Sequence, residues 1–69
     1  MVEVFRTNVR RRSDSNRLLR KLAEAFPSWK INFDLWDRDK ILRVEGEGIK
    51  PTGIITIMRS QGFEIEMLD

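Results

Sequence analysis

Three consecutive arginines stand directly before the clearest helix-start signal in the chain. The segment Arg10–Arg12 is followed by Ser13-Asp14-Ser15-Asn16, in which Ser13 or Asp14 is expected to cap a helix. The amide groups of a helix N-terminus attract anions, and guanidinium groups bind phosphate or carboxylate through charge-assisted hydrogen bonds. The sequence therefore suggests an anion-binding site, with a flexible, solvated loop as the simpler alternative. The candidate anion-binding residues are Arg10, Arg11, Arg12, Ser13 and Arg17.

Basic side chains continue along the predicted helix as Arg17, Arg20 and Lys21, which makes nucleic acid one class of anionic ligand to consider. RNA-recognition motifs stack bases on aromatic residues of their central strands. The strand predicted at Ile41–Glu45 contains no aromatic residue. We therefore expect no RNA binding through the sheet, and any nucleic-acid binding would be weak, non-specific and confined to the arginine side.

The residue types that most often perform catalysis or hold soft metals are missing. The chain has no Cys and no His, which excludes disulfides, Cys/His zinc sites, thiol redox chemistry and imidazole bases. Three carboxylates, Asp34, Asp37 and Asp39, cluster near a predicted turn, but the glycine and bidentate glutamate of a calcium loop do not accompany them. We interpret them as solvated turn residues, and we expect neither an enzyme nor a bound cofactor.

Length and composition describe one small soluble domain. The chain has 69 residues, of which 41% are hydrophobic and 35% are charged, and its net charge is +2. No apolar run approaches the length of a membrane span. Met1–Glu3 enters a strand pattern without the features of a signal peptide. We therefore expect a single domain over residues 1–69, located in the cytoplasm and without membrane contact.

Periodicity predicts a strand and a helix in the first half of the chain. Residues 2–7 alternate, with Val2 and Val4 expected to face the core and Phe5 on the opposite face. An apolar stripe at helical spacing follows and ends before Pro27, because the residue before a proline is pushed out of the helical region. The stripe consists of Leu18, Leu19, Leu22, Ala23 and Phe26.

A hairpin is predicted next. Two alternating runs at residues 31–36 and 41–45 flank the polar turn Asp37–Lys40, and their closeness in sequence favours antiparallel pairing. Leu42 and Val44 are expected to form the inward face of the second run.

The remaining chain predicts a second helix and a last strand. Pro51 suits the first turn of a helix, and Gly62 suits its C-terminal cap. Gly53 and the β-branched run Ile54–Ile57 oppose a helix, but the signals at both ends favour it. Residues 63–68 alternate again and predict a strand.

The resulting order is strand, helix, strand, strand, helix, strand. This order predicts an α+β ferredoxin-like βαββαβ sandwich, with a four-stranded antiparallel sheet and two helices on one face. The arrangement also makes both strand–helix–strand crossovers right-handed. Many unrelated proteins share this fold, so the fold alone does not give a function.

Apolar residues are predicted on the open face of the sheet, which is the face turned away from the helices. They alternate out of step with the core positions, and exposed apolar residues on a sheet often mark an interface. The alternative is that they form cross-strand pairs that only stabilise the sheet. Arg43 is expected to pair with a nearby glutamate (Glu45, Glu64 or Glu66). The candidate interface residues are Phe5, Trp36, Ile41, Arg43 and Leu68.

Two segments, Val2-Glu3-Val4 and Met58-Arg59-Ser60-Gln61-Gly62-Phe63-Glu64, resemble the heavy-metal-associated (HMA) domains of copper chaperones and metal-pumping ATPases. That family holds Cu(I) between two cysteines in the loop after the first strand. The corresponding loop here, Thr7–Ser13, has no thiol and carries three arginines, so the soft-metal site is not retained. The resemblance therefore implies a metal-site-deficient HMA-like scaffold, similar to small single-domain bacterial proteins, with no Cu(I) or zinc expected.

Together these patterns predict a non-catalytic binding or interaction module. The first hypothesis is protein–protein association through the open face, either with an unknown protein partner or as a homodimer. The alternative is weak anion or nucleic-acid binding at the Arg10–Arg12 loop and the first helix.

Overall fold

Strands and helices follow one another in the predicted order. The computed structural model describes residues 1–68. The elements are β1 (Val2–Thr7), α1 (Arg12–Ala25), β2 (Lys30–Asp34), β3 (Ile41–Glu45), α2 (Pro51–Ser60) and β4 (Ile65–Leu68). The four strands form one antiparallel sheet. The predicted α+β fold with βαββαβ order is confirmed.

The sheet has the strand order β2-β3-β1-β4, so β2 and β4 are its edge strands. Because β1 and β2 both run antiparallel to β3, the C-terminal ends of β1 and β2 lie at the same end of the sheet. We call this the upper end; it comprises residues 7–12 and 35–40. The N-terminus of α1 follows β1 there. The topology therefore brings the loop that contains Arg10–Arg12, which we call the arginine loop, close to the β2–β3 turn.

The hydrophobic core lies between the sheet and the two helices. Every element except β2 contributes a buried apolar side chain, whereas Ile31 and Phe33 of β2 are only half-buried against the core. β2 is thus the least covered strand. The buried core residues are Phe5, Val9, Leu18, Leu22, Leu42, Val44, Ile54, Met58 and Ile65.

Phe5 belongs to this core, contrary to the predicted phase of β1. Its side chain has 0% exposure, and it lies opposite Leu42 on β3 and Met67 on β4. Val2, which was expected to face the core, is 48% exposed. The prediction was wrong by one residue, a shift that moves every side chain of a strand to the other face. Burying the aromatic ring removes more apolar surface from water than burying either valine would, and this phase keeps Arg6 in solvent.

The second helix forms despite Gly53, and the glycine has a packing reason. A Cβ atom at position 53 would lie only 2.8 Å from Cζ of Phe26. The Phe26 ring also stacks on Trp29, with 4.4 Å between the ring centroids. Trp29 in turn donates a hydrogen bond from Nε1 to the carbonyl oxygen of Glu47 at 3.0 Å. The missing side chain therefore gives Phe26 a place against α2.

Candidate interaction surfaces

The arginine loop enters α1 earlier than the sequence predicts. Arg11 occupies the N-cap position without a side-chain hydrogen bond, and the helix begins at Arg12. The expected cap at Ser13 or Asp14 is wrong, since both lie inside the first turn. The Ser15 hydroxyl donates to the carbonyl oxygen of Arg12 at 2.9 Å. The first amides of α1 have no side-chain acceptor within residues 1–68, and Arg11 and Arg12 beside them are exposed.

Thr7 ties the arginine loop to the β2–β3 turn. Its Oγ1 donates to the carbonyl oxygen of Lys40 at 2.6 Å and accepts a hydrogen bond from the amide of Val9 at 3.2 Å. Its own amide donates to the carbonyl oxygen of Asp39 at 3.1 Å. Because Thr7 is only 8% exposed, these bonds are shielded from water. They hold Arg10, three residues further on, close to the turn.

The five predicted anion-binding residues do not converge on one cavity. Arg10 lines a cleft of about 320 Å³ together with Arg38 and Lys40, whereas Arg12 lines a separate groove beside β2. Arg17 lies 3.4 Å from a carboxylate oxygen of the aspartate in the first turn of α1. The other two residues, Arg11 and Ser13, are exposed.

Sequence reasoning missed the contribution of Arg38 and Lys40 to that cleft. They belong to a turn of alternating charge, Asp37-Arg38-Asp39-Lys40, which resembles an ordinary solvated turn. Lys40 also donates from Nζ to the carbonyl oxygen of Leu35 at 3.0 Å, which orients its side chain over the turn. The signal that could have located them is topological, because the predicted strand order already places this turn at the same end as the arginine loop.

The open face combines a few apolar side chains with charged ones. Val4 lies at its centre, opposite Arg43 on β3 and Leu68 on β4. Glu66, one of the glutamates predicted to pair with Arg43, instead accepts a hydrogen bond from Arg6 at 2.7 Å. Both partners of that ion pair are about half exposed or more, so it contributes little to stability. The open-face residues in the strands are Val2, Val4, Arg6, Lys30, Asn32, Asp34, Ile41, Arg43, Glu45, Glu66 and Leu68.

Three of the five predicted interface residues lie on this face. Ile41 is only 6% exposed, Arg43 is exposed and Leu68 is half-buried. Phe5 is a core residue, so its assignment to the interface was wrong. Trp36 does not continue β2 as predicted but lies in the β2–β3 turn, where it is 92% exposed.

An open groove of about 430 Å³ runs along the edge of β2, between α1 and the open face. Leu19 and Phe33 contribute apolar surface, Arg12 and Arg43 contribute positive charge, and Trp36 lies at one end. Outside the β2–β3 ladder, no backbone hydrogen bond within residues 1–68 involves a residue of β2. The outer backbone groups of this strand are therefore open to a partner.

The chain matches no protein-family model, no curated protein and no solved structure. No helix in residues 1–68 is long and apolar enough to cross a membrane. Within the same residues, no three carboxylate side chains come close enough together to hold a metal ion.

Proposed function

We propose that this protein is a non-catalytic interaction module that binds another protein through the open face of its sheet and the adjoining Trp36. The scaffold in this proposal is HMA-like, on the strength of the two segments Val2–Val4 and Met58–Glu64, but without the family's metal loop. The observation that carries the proposal is the exposure of Trp36. It is 92% exposed and lines the same groove as Arg43 of the open face.

An exposed tryptophan contributes little to the stability of the domain that carries it. The chain's other tryptophan, Trp29, is by contrast packed against the core together with Phe26. Tryptophan and arginine are the residues most enriched at the centres of protein interfaces. Burying most of one indole ring against a partner would contribute roughly 2–4 kcal/mol of binding free energy.

Site-specific photo-cross-linking in the producing cells tests the proposal. A benzophenone amino acid replaces Asp37, which is exposed beside Trp36 and leaves the tryptophan in place. The matched control carries the same cross-linker at Thr56, an exposed position on α2. We expect a discrete protein adduct from position 37 and none from position 56, because only the former adjoins the proposed surface.

The same experiment includes variants that remove the surface without removing the cross-linker. Trp36→Ser and, separately, Arg43→Glu should each abolish the adduct from position 37. Both side chains are exposed, so the fold should persist, which circular dichroism checks. Equal adducts from positions 37 and 56, or an adduct insensitive to both substitutions, would contradict the proposal.

Anion or nucleic-acid binding at the arginine loop is the second candidate. It is favoured by the cleft of Arg10, Arg38 and Lys40 and by the uncapped start of α1 at Arg12. Amide NMR titrations at low salt, with inorganic phosphate and with a single-stranded oligonucleotide, should then shift residues 8–12 and 38–40. The double variant R10A/R38A should remove these shifts, whereas Lys50→Ala, at the opposite end of the sheet, should not. Shifts that survive the double variant, or no shifts with either ligand, would exclude this function.

A further inference from the structure

We propose that the partner is a second copy of this chain, joined through antiparallel pairing of the two β2 strands. This inference rests on the proposed function and names the partner at the groove beside β2, which Trp36 and Arg43 line. The rest of the open face stays uncovered in the pair. β2 is an edge strand with outer backbone groups that have no acceptor or donor within residues 1–68. Edges of this kind accept a further strand, because each added pair of backbone groups completes a ladder.

The sequence of β2, Lys30-Ile31-Asn32-Phe33-Asp34, is complementary to itself when two copies run antiparallel around Asn32. In this register Lys30 lies opposite Asp34 of the second copy, and Ile31 lies opposite Phe33 of the second copy. The charged pairs fall on the open face and the apolar pairs on the helix side, as the pairing of β2 with β3 requires. Directly opposed unlike charges and apolar pairs stabilise antiparallel strands, whereas opposed like charges destabilise them.

A two-fold axis through Asn32 keeps the helices of both copies on the same side of one continuous sheet. Such an interface uses the same surface on both copies and closes at two, so it does not propagate. The other edge strand offers no equivalent pairing. β4 begins with Ile65 and ends with Leu68, so it has no oppositely charged ends to set a register.

Trp36 would lie close to the same interface. Trp36 lies in the turn directly after Asp34 and is exposed in the single chain, so antiparallel pairing of the β2 strands would bring it to the end of the interface where β2 of the second copy begins. Two buried indole rings would supply on the order of 400 Å² of the roughly 1,200 Å² that a stable interface requires. Leu19 and Phe33, which line the groove beside β2, would contribute further apolar area.

Sedimentation equilibrium of the full chain, from about 1 μM to about 1 mM, measures the association directly. We expect a reversible dimer. Lys30→Asp places an aspartate opposite Asp34 of the second copy, and Asp34→Lys places a lysine opposite Lys30 of the second copy. Because each change acts twice in a symmetric dimer, each single variant should weaken dimerisation at least about tenfold. Lys50→Asp makes the same change in net charge as Lys30→Asp, but at the start of α2, and should leave dimerisation unchanged.

A mixture of the two single variants and a double variant test the register itself. The two single variants, mixed together, restore opposite charges at both positions, so they should form a heterodimer within about threefold of the wild-type affinity. The double variant K30D/D34K should form a homodimer for the same reason. A merely structural role of either side chain would not produce this rescue.

A cysteine variant tests the pairing without altering charge. The chain has no cysteine, so Asn32→Cys introduces one thiol, at the proposed two-fold axis. Directly opposed residues have Cα atoms about 4.5–5.5 Å apart, within the range of a disulfide. Mild oxidation should therefore link two copies, whereas Thr56→Cys on α2 should remain unlinked.

Several results would overturn the inference: a wild-type monomer throughout the concentration range, single variants that dimerise like wild type, loss of dimerisation in Lys50→Asp, or equal cross-linking of the two cysteine variants. These outcomes are separable from failure of the proposed function. A monomer whose position 37 still cross-links to a different protein refutes only the second copy as partner. A monomer with no adduct at position 37 refutes both.

Discussion

Replacing Phe5 by alanine should strongly destabilise this protein, whereas the strand phase predicted from alternation would make the same residue a tolerant surface position. Phe5 is 0% exposed in the strand at the middle of the sheet. Truncating a buried phenylalanine costs about 3–5 kcal/mol. A domain of 69 residues has a free energy of unfolding of roughly 3–10 kcal/mol. The substitution therefore removes between about a third and all of the free energy of unfolding.

Urea unfolding, followed by circular dichroism, measures the effect. With a denaturant dependence of about 1 kcal/mol per molar urea, Phe5→Ala should lower the midpoint by about 3–5 M or leave the chain unfolded without urea. Phe5→Leu keeps most of the volume and should cost less than about 1.5 kcal/mol. It therefore gives a measurable transition if the alanine variant does not.

Val4→Ala is the matched control, because Val4 is the adjacent residue on the open face and is only half-buried. It should cost about 1 kcal/mol. If Phe5→Ala proved no more destabilising than Val4→Ala, the assignment of Phe5 to the core would be refuted, and the interface hypothesis for Phe5 would return.

Two further substitutions test contacts at opposite ends of the molecule. Thr7→Val removes the buried hydroxyl that donates to the carbonyl oxygen of Lys40, and it should lower the free energy of unfolding in urea by about 1–3 kcal/mol. The amide NMR signals of residues 38–40 should shift as well. Unchanged signals there would show that the hydroxyl does not hold the turn. Gly53→Ala gains up to about 1 kcal/mol of helix propensity but forces Phe26 away from α2, at a cost of about 1–3 kcal/mol. We expect the free energy of unfolding to fall by about 1 kcal/mol, which thermal unfolding measures. A rise in melting temperature would mean that the Phe26 ring moves aside freely.

The order of elements was predictable because each boundary has a local cause. Pro27 ends the first helix pattern and Pro51 begins the second helix, and alternation marks the strands between them. The phase of β1 was not predictable from alternation alone, since both phases contain apolar residues and one charged residue. The choice depends on the total area buried against β3 and β4, which is a tertiary quantity.

The candidate site was predictable only in its location. Consecutive residues at a helix start point in different directions, so Arg10 and Arg12 line different cavities although they are neighbours in sequence. The groups that join Arg10 come from a turn almost thirty residues away. The value of β2 as an interaction edge likewise depends on strand order, because the same five residues in the middle of the sheet would have no open backbone groups.

The central position of β1 has a consequence for the speed of folding. The hairpin of β2 and β3 forms from residues close in sequence, an event that takes about 1–10 μs. The sheet is continuous only after β1 enters between β3 and β4, and its pair Arg6 and Glu66 are 60 positions apart. Closing such long loops costs chain entropy before the new contacts repay it. Refolding should accordingly proceed more slowly than in a helical bundle of equal length. We expect β1 to be the last strand to join the sheet.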